Sequence, residues 1–349
     1  MTRPMMYLDH AATTPLLPEA RAAMLHGFDI WANPSSPHGA GRAARAALED
    51  ARERVRAALH WPGEVIFTSG ATEALAIALS RAQVDRQIIS AVEHEAVLRA
   101  APDAAALPMA GGAVDADALA AALARPGRAL VAVQMVNSET GTILLPGAHP
   151  PAIAATQAAG GLFLCDASQI AEQRALPDDV DMAVISGHKL GGPIGVGALL
   201  VRDFGMLSPS GGQERGYRSG TENLPGALGM AAALAATAWR TTADQRLAFR
   251  DRLQRAGEVM APGAQSSHIF AVTSPRFSAA ALLIRFDSMG FAISAGSACS
   301  SGSLKPSRVL LGFGIEPEVA RRTIRVSLGW STTAAELDAF AGAWAAIHA

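Results

Sequence analysis

The chain has 349 residues, half of them apolar and 17% charged, with a net charge of −2 and two cysteines. That length can bury a large core and suggests more than one domain, while the charge balance excludes the basic footprint of a nucleic-acid binder and a polybasic membrane patch. Two cysteines argue against a disulfide framework and for a reducing compartment, the cytoplasm.

At the N-terminus Asp9 and His10 closely follow Met5 and Met6, which argues against a signal peptide. Over residues 42–59, apolar Ala44, Ala47, Leu48, Ala51, Val55 and Ala58 recur at helical spacing between arginines and acids. Residues 65–68 read as a buried strand that runs into Ser69-Gly70, and an Ala-rich helix starts near Ala71. The start of that helix offers unpaired N–H groups and a positive dipole end, a place for phosphate. An ordinary capped helix, with Glu73 complementing the dipole, is the plainer alternative.

Further buried strands read at 88–92, 130–136, 162–165, 180–185 and 196–201, with Ala-rich helices between several of them. This is an α/β pattern: a large domain with a mostly parallel mixed sheet covered by helices on both faces. The apolar stretch 224–239 is interrupted by Pro225, Gly226 and Gly229. It is too short and too broken to span a bilayer and reads as a core helix. Beyond Thr241 the pieces shorten: strands at 269–272, 291–294 and 324–328, helices near 279–287 and 316–322, and a terminal helix. This reads as a smaller α+β domain.

Two strand ends carry the chemistry. In Ser186-Gly187-His188-Lys189 a lysine leaves the core at the end of an apolar run, boxed by small residues. Such an amine suits a nucleophile that forms a Schiff base with an aldehyde cofactor; the alternative is a loop lysine that happens to follow a histidine. The run 162–165 delivers Asp166. Pyridoxal phosphate needs a lysine for its aldehyde and an acid for its pyridinium nitrogen. A lone Asp after a strand is usually a cap or a turn residue, but an Asp and a Lys that each close an apolar strand are more specific.

The motifs Tyr7-Leu8-Asp9-His10-Ala11-Ala12-Thr13-Thr14-Pro15, Asn33-Pro34-Ser35-Ser36, Thr68-Ser69-Gly70-Ala71-Thr72-Glu73, Glu93-His94, Ser186-Gly187-His188-Lys189 and Arg218-Ser219-Gly220-Thr221 follow one another along the chain. Ser294-Ala295-Gly296-Ser297-Ala298-Cys299-Ser300-Ser301 and Ile324-Arg325-Val326-Ser327-Leu328-Gly329 complete the series. In this order the chain resembles the class V pyridoxal-phosphate enzymes, specifically the first group of cysteine desulfurases. The resemblance implies a fold type I transferase with a large cofactor-binding domain over 16–240. Residues 1–15 and 241–349 would then form a small domain that carries the cysteine loop and a carboxylate-binding arginine.

It also implies roles. Lys189 holds the cofactor and shuttles protons, Asp166 binds the ring nitrogen, Gln169 donates toward the phenolic oxygen, and His94 stacks on the ring. Ala71, Thr72, Ser186 and His188 take the phosphate, and Asn137 also contacts the cofactor. Thr221 reaches the phosphate of a neighbouring subunit, which makes the protein a homodimer. Arg325, with Asn33, binds the substrate carboxylate; a surface salt bridge is the alternative for Arg325. Cys299 lies in a run of small residues, a flexible tether for a thiolate that accepts sulfur. Cys165, flanked by Phe163 and Leu164, reads as an inert packed thiol.

The implied reaction converts L-cysteine to L-alanine and leaves a persulfide on Cys299, for an acceptor protein in iron–sulfur cluster assembly or tRNA thiolation. No metal is expected. Rival readings are a transaminase, a selenocysteine lyase or a cysteine-sulfinate lyase of the same class, and a non-catalytic partner protein that binds the cofactor. The sequence departs from the family at Asn137-Ser138, where two asparagines are common, and at Ala74, Leu75 and Ala76, where an asparagine is.

Overall fold

The structure, a computed structural model, describes residues 5–170, 175–236, 238–296 and 306–349. Its central sheet has seven strands, in the order Glu64–Thr68, Gly197–Val201, Met182–Ser186, Leu162–Asp166, Ala129–Gln134, Arg86–Ser90 and Ala105–Leu107. Gly197–Val201 runs antiparallel to both of its neighbours, and all other neighbouring pairs are parallel. The short link from Ser186 to Gly197 explains the exception, because a parallel return needs a longer crossover.

Each inner strand divides its side chains between two cores. Val131, Val133, Phe163, Cys165, Ala183 and Ile185 face one cluster, with Leu48 and Val55 of helix Gly39–Ala58. Leu130, Ala132, Leu162, Leu164, Met182 and Val184 face the other, with Leu75 and Leu79 of helix Ala71–Arg81. A strand covered on both faces has no polar side to show, so these segments read as unbroken apolar runs rather than as alternation. The core helix is Leu224–Ala235, and every residue in it except Ala235 is buried. Among the described residues no helix is long and apolar enough to cross a membrane.

A second, three-stranded antiparallel sheet joins Glu258–Val259, Ile269–Thr273 and Thr323–Ser327. It packs with helices Ala243–Gln254, Ala279–Ser288 and Ala334–His348 through Phe249, Phe270, Phe286, Phe340 and Trp344. Met6–Tyr7 pairs with Phe291–Ala292 and Asp9 bridges to Ser327, so the N-terminal residues lie in this part of the molecule.

Two sequence expectations shift, and one strand was not expected. The strand expected over 291–294 is only Phe291–Ala292, because its partner Met6–Tyr7 supplies two residues of pairing. The helix expected over 316–322 is Pro317–Ala320, ended where Thr323 enters its strand. The edge strand Ala105–Leu107 had no sequence signal, being three residues of Ala-Ala-Leu.

Candidate active site

The carboxyl ends of the parallel strands open onto a cavity of about 780 Å³, the place where α/β sheets bind ligands. Asp166 ends its strand there, in register with Gln134 on one side and Val184 on the other. Its Oδ1 accepts from Ser168 N at 3.0 Å and from Ser168 Oγ at 2.5 Å, which fixes the orientation of the carboxyl. Lys189 closes the short 3₁₀ turn Gly187–Lys189 that follows strand Met182–Ser186. Burial pushes its amine down to about 8, assisted by the charge of Arg325 and opposed by Asp166 and Asp9. About a tenth of the amine is then neutral at pH 7, far more than for an ordinary lysine, and the neutral form is the nucleophile.

At one end of the cavity, helix Ala71–Arg81 begins after Gly70 with no side-chain cap. Gly70 has φ of 154°, a conformation that favours glycine, and the space beside its Cα is open. Gly197 approaches this turn so closely that a Cβ on it would meet Gly70 Cα at 2.8 Å. Glu73 accepts from Ser69 N and pairs with Arg218 Nε at 3.1 Å, which ties the turn to the Arg218–Thr221 segment. The open N–H groups of Ala71 and Thr72 therefore face a pocket whose other residues are already braced.

His94 caps helix Glu95–Ala100, its Nδ1 accepting from Ala96 N at 3.2 Å. That bond leaves the proton of the neutral ring on Nε2. Burial, then the charge of Lys189, lowers its pKa, so the ring is neutral near pH 7. Gln169 donates from Nε2 to Ala11 O at 2.9 Å, and His188 Nδ1 lies 3.1 Å from Thr13 Oγ1. Arg325 reaches the cavity from the second sheet, with Nη2 on Asp9 Oδ1 at 2.7 Å and Nη1 on Ser138 O at 3.0 Å. It is a partly buried ion pair rather than a surface salt bridge, and the Nε of Arg325 is a buried donor without a hydrogen-bond partner.

The cavity thus gathers Ala71, Thr72, His94, Asp166, Gln169, Ser186, His188, Lys189 and Arg325. Three expected residues stand outside its lining. Asn33 is exposed and its Oδ1 accepts from Ser35 N in a local turn. Thr221 is exposed on the segment that leads to helix Leu224–Ala235. Asn137 is buried with its amide wholly engaged in the protein: Oδ1 accepts from Glu139 N and Thr140 N, and Nδ2 donates to Val92 O and Gln134 Oε1. It shapes the turn under the cavity, and Ser138 beside it lines the wall. Cys299 lies outside the described residues. Cys165 is fully buried and its thiol is pushed well above the usual range by burial.

Among the lining residues with no role from sequence are two glutamates. Glu93 is completely buried, and burial raises its carboxyl to about 8 although Ser90 Oγ and Gln134 N donate to its Oε1. Glu139 is likewise raised by burial and accepts from Ser307 Oγ. The Glu93-His94 pair was the available signal for the first; the second depends on a residue 168 positions away.

The family model for class-V aminotransferases matches residues 6–340. A cysteine desulfurase of Rhodobacter capsulatus is 39% identical over 373 aligned positions, spanning 97% of this chain and 95% of that protein. The solved NifS-like protein from Rickettsia africae superposes with a TM-score of 0.86 at 27% identity, covering 98% of this chain and 99% of that one. SspA, solved in complex with cysteine, superposes with a TM-score of 0.77 at 30% identity over 94% of this chain and 100% of its own. With nearly its whole length matched in this way, the chain belongs to the class-V aminotransferase family, in its cysteine desulfurase branch.

Proposed function

We propose that the cavity binds pyridoxal phosphate and L-cysteine and that the sulfur leaves on Cys299 as a persulfide, with L-alanine as the other product. One observation carries the reading: an uncapped helix start, an oriented buried acid and a desolvated lysine face the same cavity. These residues fit the cofactor's phosphate, ring nitrogen and aldehyde, one to each. When bound, the cofactor draws electrons from the bonds of an amino acid joined to its aldehyde.

The protein's own groups do the rest. Asp166, held by Ser168, keeps a proton on the ring nitrogen. Lys189 Nζ takes the proton from the substrate's Cα and returns protons to carbon. Arg325 pairs with the substrate carboxylate through the donors that Asp9 and Ser138 do not use, or in place of Asp9. The Cys299 thiolate attacks the substrate sulfur; an S–S bond forms, the Cβ–S bond breaks, and its electron pair stays on Cβ, which takes up a proton. Cysteine and a thiol thus become alanine and a persulfide, with no outside oxidant. Gly296, three residues before Cys299 in the sequence, lines the cavity.

Residues 16–240 then supply the cofactor groups, and residues 1–15 with 241–349 supply Arg325 and Cys299. The exposed Thr221 is offered to a second copy of the chain, in a homodimer. With two cysteines and no disulfide framework the chain suits a reducing compartment, and the sulfur passes to an acceptor protein in the cytoplasm for cluster assembly or tRNA thiolation. Purified cofactor-loaded protein should release alanine and sulfide in equal amounts from L-cysteine with dithiothreitol. Release of alanine from cysteine sulfinate but not from cysteine, or amino-group transfer to an oxo-acid, would replace this reading with a rival of the same class.

A further inference from the structure

Glu139 stands between two segments that are far from it in sequence. Ser307 Oγ donates to Glu139 Oε2 at 2.5 Å. A Cβ built on Gly296 would come within 2.2 Å of that same oxygen, so the carboxyl packs directly on the Gly296 backbone. Gly296 and Ser307 flank residues 297–305, the stretch that contains Cys299. One carboxyl group therefore touches the chain before and after the cysteine.

Both sides of this contact are themselves fixed. The turn that carries Glu139 is closed by Asn137 Oδ1, which accepts from Glu139 N at 3.0 Å, Thr140 N at 2.9 Å and Thr140 Oγ1 at 3.1 Å. On the other side, Ser307 Oγ accepts from Val309 N and Leu310 N at the start of helix Arg308–Gly312. Arg308 donates to the carbonyls of Ala91 and Glu93, next to His94. The floor of the cavity, the ring-facing histidine and the return of the cysteine segment thus form one hydrogen-bonded unit. Glu139 itself lines the cavity, with the positive charges of Arg325 and Arg308 acting on it.

We propose that Glu139 is a positioning residue for sulfur transfer: its carboxyl sets where the segment bearing Cys299 leaves and re-enters the cavity wall. The proposal rests on Cys299 being the sulfur acceptor. Fixing both ends of a segment restricts the orientations open to the groups it carries. Glycine at 296 is then required by the close approach of the carboxyl rather than by backbone conformation.

The test uses cofactor-loaded protein and L-cysteine with dithiothreitol. Glu139→Ala should slow alanine release on the order of tenfold or more, with KM for cysteine held within about twofold, as expected when placement of a reacting group is lost. The cofactor absorbance and its change on adding cysteine should match the parent protein. Glu139→Gln keeps the size and an oxygen for Ser307, and should restore most of the rate. Gly296→Ala should also be slow, yet the double variant with Glu139→Ala should be no slower than Glu139→Ala alone, since both act on one contact. Should Glu139→Ala fail to fold, Ser307→Ala removes the other half of the bond and is read by the same split between rate and KM. Parental alanine release in Glu139→Ala, alongside a dead Cys299→Ser, would overturn the proposal and leave the function standing. Absence of persulfide on Cys299 in the parent protein would remove both.

Discussion

At Lys189, burial outweighs the attraction of Asp166, and the amine falls from its ordinary 10.5 to about 8. The neutral amine is the form that captures an aldehyde. The rate at which cofactor-free protein acquires visible absorbance on adding pyridoxal phosphate should therefore rise with pH and level off above about pH 8. A rise that continues past pH 10 would mean the amine is solvated. Glu93 moves the opposite way, from 4.5 to about 8, because its carboxylate has no charge partner that offsets full burial. Between those values the folded protein holds a proton that the unfolded chain has released, so Glu93 costs stability as pH rises through that window. Glu93→Gln mimics the protonated acid. In cofactor-loaded protein its stability advantage over the parent should grow from pH 5 to pH 8 by up to about 1.4 kcal/mol per pH unit and then flatten. Parallel urea-denaturation curves at pH 5 and pH 8, with no change in the gap, would show that the carboxyl is not desolvated. Lys189 and Asp166 were legible from sequence because each directly follows an apolar run. Glu93 was not assigned a role, since nothing local says that the turn after residue 90 is buried.

Strand Glu64–Thr68 must present the turn Ser69-Gly70 to the cavity in one place, and a buried ion pair holds it there. Arg52, from helix Gly39–Ala58, pairs with Glu214 at 2.7 Å and donates to Val65 O, while Glu214 Oε2 accepts from Phe67 N at 2.9 Å. Both side chains are almost fully buried, so removing one strands the other charge in the core. Arg52→Ala should lose about 3–5 kcal/mol of stability by that route. The exposed pair of Arg252 and Asp338 should lose under about 1 kcal/mol on the same substitution. Equal urea midpoints for the two variants would refute the distinction. The strands of the central sheet could be read from the sequence because both faces are buried and their runs are uninterrupted. Phe291–Ala292 and Ala105–Leu107 could not be delimited, because a two-residue partner and an edge position set their ends.

Across the whole molecule, the cavity is made where the two ends of the chain meet the parallel sheet. Asp9 pairs with Arg325 across 316 residues, and Ser307 bonds Glu139 across 168. Motif order told which residue types were present but not these pairings, which is why Arg325 was expected to meet a substrate carboxylate, or else a partner at the surface, and Asn137 to meet the cofactor. Asn137 instead holds the turn that presents Glu139, and Arg325 shares its charge with Asp9. Of the two thiols, Cys165 is sealed in the core with its pKa raised, a poor nucleophile. The account therefore assigns the sulfur to Cys299 alone.

The most direct test is to react the cofactor-loaded protein with L-cysteine without reductant and to locate the added sulfur by peptide mass spectrometry, in the parent, Cys299→Ser and Cys165→Ser proteins. The account predicts one extra sulfur on the Cys299 peptide in the parent and in Cys165→Ser. In Cys299→Ser it predicts no persulfide and no alanine, with the spectral change on adding cysteine retained. A persulfide on Cys165, or alanine release at the parental rate from Cys299→Ser, would contradict it.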